Sequence, residues 1–384
     1  MNKSVAIIFS VLSLLFLSTF VLSQKVIADQ MPSFSRILVF GDSLSDTGKM
    51  YDKSLGTVPA EHPTFQWSTP LYYDGRFSNG PVWIDYLKSD YSMAENQVIN
   101  EAEGGATLYN YMSKSLNPTY WVSNTFNYEI SQFLTKVDKQ KVSPVSDNDI
   151  VIIWIGGNDL LTFGWTKTSD IYDDMSKLYL GVDTLVAAGV KNFIILNLPE
   201  LIMTPKGRDL KLKKQDKLSD ANTKFNEQLA LATQSMAEFY TPRGIKIGSY
   251  DMMSLFHDAL TYPENYGLTD TRHACYSGSM LSMTLTEDGQ YTASVRKLSK
   301  QWNVPEDQLV EFLRNNPVFA DSMQWVSQED NIQSIDASVT SFDPNDCKGH
   351  LFFDQVHPTT DVHRIVADHL RNYMNNEWVY KSLS

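Results

Sequence analysis

Four short apolar runs, each meeting a glycine or proline, limit what this chain can fold into more than any other feature. Ile37 to Phe40 meets Gly41, Ile150 to Ile155 meets Gly156, Asn192 to Leu198 meets Pro199, and Ile245 to Ile247 meets Gly248. Runs this short, bounded by turn residues, read as buried strands. Helical patterns lie between them. Ile171, Met175, Leu178, Val182 and Leu185 recur at helical spacing and stop at Gly189, while Leu218, Ala221, Phe225, Leu229, Ala232 and Met236 mark a second amphipathic helix. Strands alternating with helices predict an α/β protein whose parallel sheet is covered on both faces. Ligands collect beyond the carboxyl ends of the strands in such sheets, so the residues just after each run are where chemistry is sought.

Residues 276–346 depart from this pattern. Strand–helix alternation lapses there, and Ser294 to Asn316 suggests two short helices separated by Asn303-Val304-Pro305.

The N-terminus reads as an export signal: Lys3 gives a positive start, an apolar run spans Val5 to Leu22, and Val26-Ile27-Ala28 offers a cleavage site before Asp29. An uncleaved anchor is the competing reading, but no cluster of charges follows the run to stop transfer. The expectation is a secreted protein, residues 29–384, after loss of residues 1–28. The formal charge of −13 becomes more negative when Lys3 and Lys25 leave with no acid, which argues against a nucleic-acid partner. Export also places the two cysteines, Cys275 and Cys347, where a disulfide persists, and one bridge between them is expected.

Ester hydrolysis near neutral pH needs a nucleophile, a base, a group to orient the base, and donors for the developing oxyanion. Gly41-Asp42-Ser43-Leu44-Ser45-Asp46-Thr47-Gly48 places a serine directly after a strand, although a polar turn would look the same. Asp354-Gln355-Val356-His357-Pro358-Thr359 precedes an amphipathic stretch through Val362, Ile365, Val366, His369 and Leu370, so His357 sits on a loop before a helix with Asp354 in reach of its Nδ1 proton. A surface Asp-His pair at a helix start is the plainer alternative. A metal site from His350, Asp354 and His357 lacks a further ligand, so neither a metal nor any other cofactor is expected. Oxyanion candidates are the amides of Ser43 and of Gly105, in Asn100-Glu101-Ala102-Glu103-Gly104-Gly105-Ala106, and the side chain of Asn158, in Gly156-Gly157-Asn158-Asp159.

These four segments, in their order along the chain, resemble the successive blocks of the GDSL, or SGNH, lipase and esterase family over roughly residues 36–375. Gly75-Arg76-Phe77-Ser78-Asn79-Gly80-Pro81-Val82-Trp83 and Asn197-Leu198-Pro199 resemble lesser signatures of the same family. The resemblance implies a three-layer αβα sandwich with a flavodoxin-like parallel sheet. It implies Ser43 as nucleophile, His357 as base, Asp354 as its orienter, and Ser43, Gly105 and Asn158 as the oxyanion hole. Gly105 rather than Gly104 follows from the family's placement of the donor glycine five residues after the Asn that opens the block, here Asn100.

The long stretch between Cys275 and Cys347 departs from the family pattern and reads as an inserted loop or lid, residues 276–346, closed by the disulfide. Some bacterial secreted members that act on phospholipids and transfer acyl groups to sterols carry such a loop, and proteolytic nicking relieves their inhibition. The implied partners are therefore a phospholipid or lysophospholipid substrate, cholesterol as an acyl acceptor, a membrane surface met transiently, and an activating protease cutting near Arg296, Lys297 or Lys300. Aromatic stretches at Tyr109 to Tyr111 and Tyr120-Trp121 fit a lipid substrate, although aromatics more often belong to a core. A carbohydrate or small-ester esterase is the alternative, and a non-catalytic binding protein a more distant one. Lys206, Arg208, Lys211, Lys213, Lys214 and Lys217 form a basic cluster that could meet anionic lipid heads, but a solvated helix face is the simpler reading.

Overall fold

The computed structural model describes residues 33–53, 59, 72–110, 124–161, 167–276, 305 and 344–381. The signal-like segment 1–28, almost all of the 276–346 insertion with Arg296, Lys297 and Lys300, and also Tyr111, Tyr120 and Trp121 lie outside these residues.

In chain order the strands are β1 (Ser33–Phe34), β2 (Arg36–Gly41), β3 (Val98–Asn100), β4 (Asp149–Trp154), β5 (Asn192–Leu196), β6 (Lys246–Tyr250), β7 (Asp270–Ala274), β8 (His350–Phe352) and β9 (Val379–Tyr380). The helices are α1 (Lys49–Lys53), α2 (Trp83–Asp90), α3 (Phe126–Asp138), α4 (Gly157–Leu161), α5 (Thr168–Ala187), α6 (Pro205–Asp209), α7 (Leu212–Tyr240), α8 (Met252–Thr261) and α9 (Thr360–Glu377).

Five strands pair side by side, all parallel, in the order β3-β2-β4-β5-β6. Numbered by their own succession this is the flavodoxin-like order 2-1-3-4-5. Alternate side chains face opposite sides of a strand, which divides each apolar run between two cores. Leu38 and Phe40, Val151 and Ile153, and Phe193 and Ile195 belong to one core with Phe126 of α3, Leu178 of α5 and Phe225 of α7. Ile37 and Val39, Ile150 and Ile152, and Ile194 and Leu196 belong to the other with Trp83 of α2, Phe256 of α8 and Val366 of α9. The result is the expected three-layer αβα sandwich.

Two features differ from the sequence reading. Gly248 lies inside β6 rather than ending it, because Tyr373 and Trp378 press onto this strand: a Cβ there would stand 2.4 Å from the Tyr373 hydroxyl. The edge strand β3 has only three half-buried residues and gives no apolar run to read.

Outside the main sheet, β7 pairs in parallel with β8, and Cys275 and Cys347 are disulfide-bonded beside this pair, their Cα atoms 5.4 Å apart. The two cysteines are thereby held beside the strand that leads into the Asp354–His357 loop.

Candidate active site

The flavodoxin order reverses its winding between β2 and β4, so a crevice opens beyond their carboxyl ends. Both strands deliver a candidate residue to it, Ser43 two positions after β2 and Asn158 in the first turn of α4. Gly41 lies opposite Trp154 so closely that a Cβ would stand 2.3 Å from the Trp154 carbonyl oxygen, which explains why the Ser43 turn begins with glycine. Past it, the Asp42 carbonyl accepts from the amides of Ser45 and Asp46, curling the chain tightly around Ser43.

Asp46 fixes that turn. Its buried carboxylate accepts from the amides of Gly48, Lys49 and Met50, and from Gly104 at 2.7 Å, joining the loop after β3 to the Ser43 turn. Burial outweighs these bonds and pushes its pKa up to about 6. Asn100 strengthens the same junction through Nδ2, which donates to the Ser45 carbonyl at 2.6 Å.

From the other side, β8 ends in a turn closed by the Phe353 amide donating to the His357 carbonyl at 2.8 Å. The Gly75–Trp83 block grips the loop that follows. Ser78 Oγ donates to the Pro358 carbonyl, the Thr360 amide donates to Asn79 Oδ1, and Thr360 Oγ1 donates to the Pro81 carbonyl. Gly80 has no room for a side chain, since a Cβ would meet Thr360 at 2.5 Å.

Ser43, His357 and Asp354 are brought into line. His357 Nε2 is 2.7 Å from Ser43 Oγ, and Nδ1 is 2.8 Å from Asp354 Oδ2. Burial alone would raise the Asp354 pKa, but the charge of His357 and bonds from the His357 ring and the amides of His357 and Val356 reverse this and hold it below the ordinary value. An ionised Asp354 fixes the tautomer: Nδ1 carries the proton and donates, leaving Nε2 free to accept the Ser43 proton. The arrangement can therefore activate a hydroxyl for attack on a carbonyl carbon.

Asn158 Nδ2 donates to the Ala106 carbonyl at 3.0 Å, and Asp159 accepts from the amides of Leu108 and Tyr109, so α4 and the loop carrying Gly105 are joined. Gly105 has φ 81°, a backbone conformation suited to glycine.

Beside Ser43 opens a cavity of about 270 Å³. Its floor includes Asp42, Gly157 and Asn158, and its walls are mostly apolar, among them Leu161, Leu201, Met253 and Phe256.

The family described as GDSL-like lipase/acylhydrolase matches residues 37–370. The chain belongs to this family.

Among its relatives, a phosphatidylcholine-sterol acyltransferase of Aeromonas hydrophila is 34% identical over 358 residues, covering 92% of this chain and 94% of that protein. A secreted effector protein of Salmonella typhimurium is 28% identical over 61% of this chain and 50% of its own length. An acetylesterase of Thermothelomyces thermophilus is 28% identical over 69% of this chain and 85% of its own. Membership in the GDSL family and the acyltransferase and esterase among its relatives make this protein a serine ester hydrolase or acyltransferase.

Two contributors were not legible in the sequence. Tyr72 donates its hydroxyl to Asp354 Oδ2 at 2.9 Å from nearly three hundred positions away. Asp46 reads as one more polar residue of a turn, and only the fold reveals the four amides it gathers. Lying within the block that carries Ser43, it could have been found by asking what holds that block in place.

Proposed function

We propose that this protein is a secreted lipid acyl hydrolase that cleaves fatty acyl esters of phospholipids and lysophospholipids through an acyl group carried on Ser43. The observation that carries this reading is the alignment of Ser43, His357 and Asp354 at the mouth of a largely apolar cavity. His357 takes the Ser43 proton as the Oγ–carbonyl bond forms, and returns it to the departing alcohol. The amides of Ser43 and Gly105 and the Asn158 side chain receive the oxyanion. Gly104 is the poorer candidate because its amide already donates to Asp46. Water then attacks the acyl-Ser43 ester, with His357 again as base.

An alcohol can replace water in that second step, which makes transfer to a sterol such as cholesterol the same chemistry with another acceptor. Similarity to a phosphatidylcholine-sterol acyltransferase supports this extension. The N-terminal signal pattern, the Cys275–Cys347 disulfide and the likeness to a secreted effector support export. Residues 276–346 act in this proposal as a lid that an external protease opens.

A small-ester reading has one specific support, the likeness to an acetylesterase. The size and apolar walls of the cavity favour a longer acyl chain.

The deciding experiment measures fatty-acid release from phosphatidylcholine and lysophosphatidylcholine, with and without cholesterol, by wild type and Ser43→Ala before and after limited proteolysis. Ser43-dependent release that rises after nicking, with cholesteryl ester formed when cholesterol is present, is the expected result. Turnover of acetyl esters alone would overturn the lipid reading.

A further inference from the structure

The basic cluster takes on a different meaning once its place in the fold is known. Leu201, Met203 and Thr204 line the cavity beside Ser43, and α6 begins at the next residue, Pro205. The Lys206 amide donates to the Gln355 carbonyl at 2.9 Å, inside the loop between Asp354 and His357. Gln215 Nε2 donates to the Arg208 carbonyl and fastens the first turn of α7 to α6. The basic segment is thus built onto the rim of the active site.

Its exposed part is Lys211 to Lys217. Lys211, Lys213, Lys214 and Lys217 all face solvent, and Leu212 among them is 77% exposed. Further along α7, Lys224 is paired with Asp220. Among the described residues no ion pair engages Lys211, Lys213, Lys214 or Lys217. These lysines do not serve the helix, because cations in a first turn oppose the helix dipole and α7 has no acid there. Arg272, exposed on β7, stands close enough to Arg208 to lower its pKa, second only to burial, with the Asp270 charge opposing it. All this occurs on a chain whose net charge is −13.

We propose that Lys211, Leu212, Lys213, Lys214 and Lys217 form a docking surface for an anionic lipid bilayer. The lysines meet the charged headgroups, Leu212 enters the interface, and the neighbouring cavity mouth is turned toward the lipid. Lysines near an anionic leaflet each strengthen binding by roughly fivefold, and an apolar side chain among them adds depth of insertion. The inference rests on the reading of this site as a lipid acyl hydrolase and supplies the surface that would present it to substrate.

The test sediments the exported protein, residues 29–384, carrying Ser43→Ala with vesicles of phosphatidylcholine alone or mixed equally with phosphatidylglycerol. It compares this protein with a form bearing Lys211→Glu, Lys213→Glu, Lys214→Glu and Lys217→Glu, and separately with Leu212→Asp. The same substitutions in the Ser43 protein are assayed on p-nitrophenyl butyrate and on the phospholipid vesicles. Expected is a preference for the anionic vesicles that falls on the order of a hundredfold or more in the Glu form, falls with added salt, and weakens in Leu212→Asp, while soluble-ester turnover is unchanged. Equal partitioning of the parent protein onto both vesicle types would overturn the proposal and leave this face to an acidic protein partner. Undiminished binding by the Glu form would overturn it as well. If the Glu form also loses soluble-ester turnover, Leu212→Asp decides alone, and its unaltered vesicle binding counts against the surface. Lysine-dependent binding with no fatty-acid release from either vesicle, before or after limited proteolysis, would refute the substrate reading and leave the docking surface standing.

Discussion

Tyr72 reaches Asp354 with a 2.9 Å hydrogen bond to the same carboxylate oxygen that lies 2.8 Å from His357 Nδ1. Burial first, and then the charge of Asp354, push the Tyr72 pKa well above its ordinary value, so the phenol keeps its proton and remains a donor. Tyr72 also packs edge-on against Phe353, which stacks on Tyr276, and the three rings close over the carboxylate. Tyr72 is therefore a positioning residue for Asp354. Hydrogen bonds to charged groups contribute about 1.5–3 kcal/mol, so Tyr72→Phe should lower kcat by roughly tenfold while KM for a soluble ester stays near the wild-type value. An unchanged kcat would show that the other bonds to Asp354 suffice.

Ser43→Ala and His357→Ala should each nearly abolish turnover of p-nitrophenyl butyrate. Asn158→Ala should cost on the order of 10²-fold in kcat, the usual loss on removing one oxyanion donor. Its bond to Ala106 gives Asn158 a structural duty too, so circular dichroism of each purified variant must accompany the kinetics. Near-normal rates in folded Asn158→Ala would take this residue out of the oxyanion hole.

Asp42, directly before Ser43, gives a signature in pH. Burial pushes its pKa up from 3.8 to about 7, against the lowering effects of the Leu44 amide and the His357 charge. A group with a raised folded pKa holds its proton more tightly in the native state, so its contribution to stability is present at low pH and is lost as pH climbs from about 4 through 7. Asp42→Asn, which keeps an acceptor for the Leu44 amide, should flatten that decline. Thermal unfolding midpoints measured across this range check it: the wild type should fall more steeply than the variant, and parallel curves would mean Asp42 is ionised throughout.

Much of this architecture could be read from the sequence because it obeys simple periodicities. The apolar runs ending near Gly41, Gly156 and Pro199 announced strands, whereas Ser43 and Asn158 at their ends look like ordinary turn residues and stood out only through the family resemblance. His357 and Asp354 sit three positions apart, a spacing that a surface pair at a helix start would share, and the family resemblance is what set them together with Ser43. What stayed hidden depends on distant partners. Tyr72 belongs to no recognisable pattern near Asp354. The strand role of Gly248 depends on Tyr373 and Trp378 of another part of the chain. Glu101 and Glu103 look like surface acids, yet both are buried, Glu101 paired with Lys49 and Lys136 and Glu103 with Lys53. Side-chain pairing across long separations leaves no local mark.

The Cys275–Cys347 bridge closes a separation of 72 residues and adjoins the rings over Asp354, since the amides of Cys275 and Tyr276 donate to the carbonyls of Phe352 and Phe353. On the chain-entropy account a loop of this length contributes roughly 4 kcal/mol. Replacing both cysteines with serine should lower the urea midpoint and also reduce kcat, because the wall against Asp354 loosens. Lower stability with an intact kcat would confine the bridge to tethering the inserted stretch.

Phe77 adjoins both Gly104 and His357, and the coupling this contact predicts can be measured. The Phe77 ring lies 5.1 Å from the His357 ring, and a Cβ on Gly104 would come within 2.3 Å of Phe77 Cζ. Phe77 is buried, and protein interiors are close-packed. Gly104→Ala should therefore push the ring against His357, and displacing a base by about 1 Å costs on the order of 10²-fold in rate. Neither residue lines the cavity, so KM for p-nitrophenyl butyrate should change little. Phe77→Leu shortens the side chain and should restore much of the rate when combined with Gly104→Ala, although alone it slows the enzyme modestly through lost packing. A double-mutant cycle on kcat isolates the term. Strong positive coupling would locate the damage at the Phe77–His357 contact, whereas additive losses would place it in the Asp46–Gly104 junction instead.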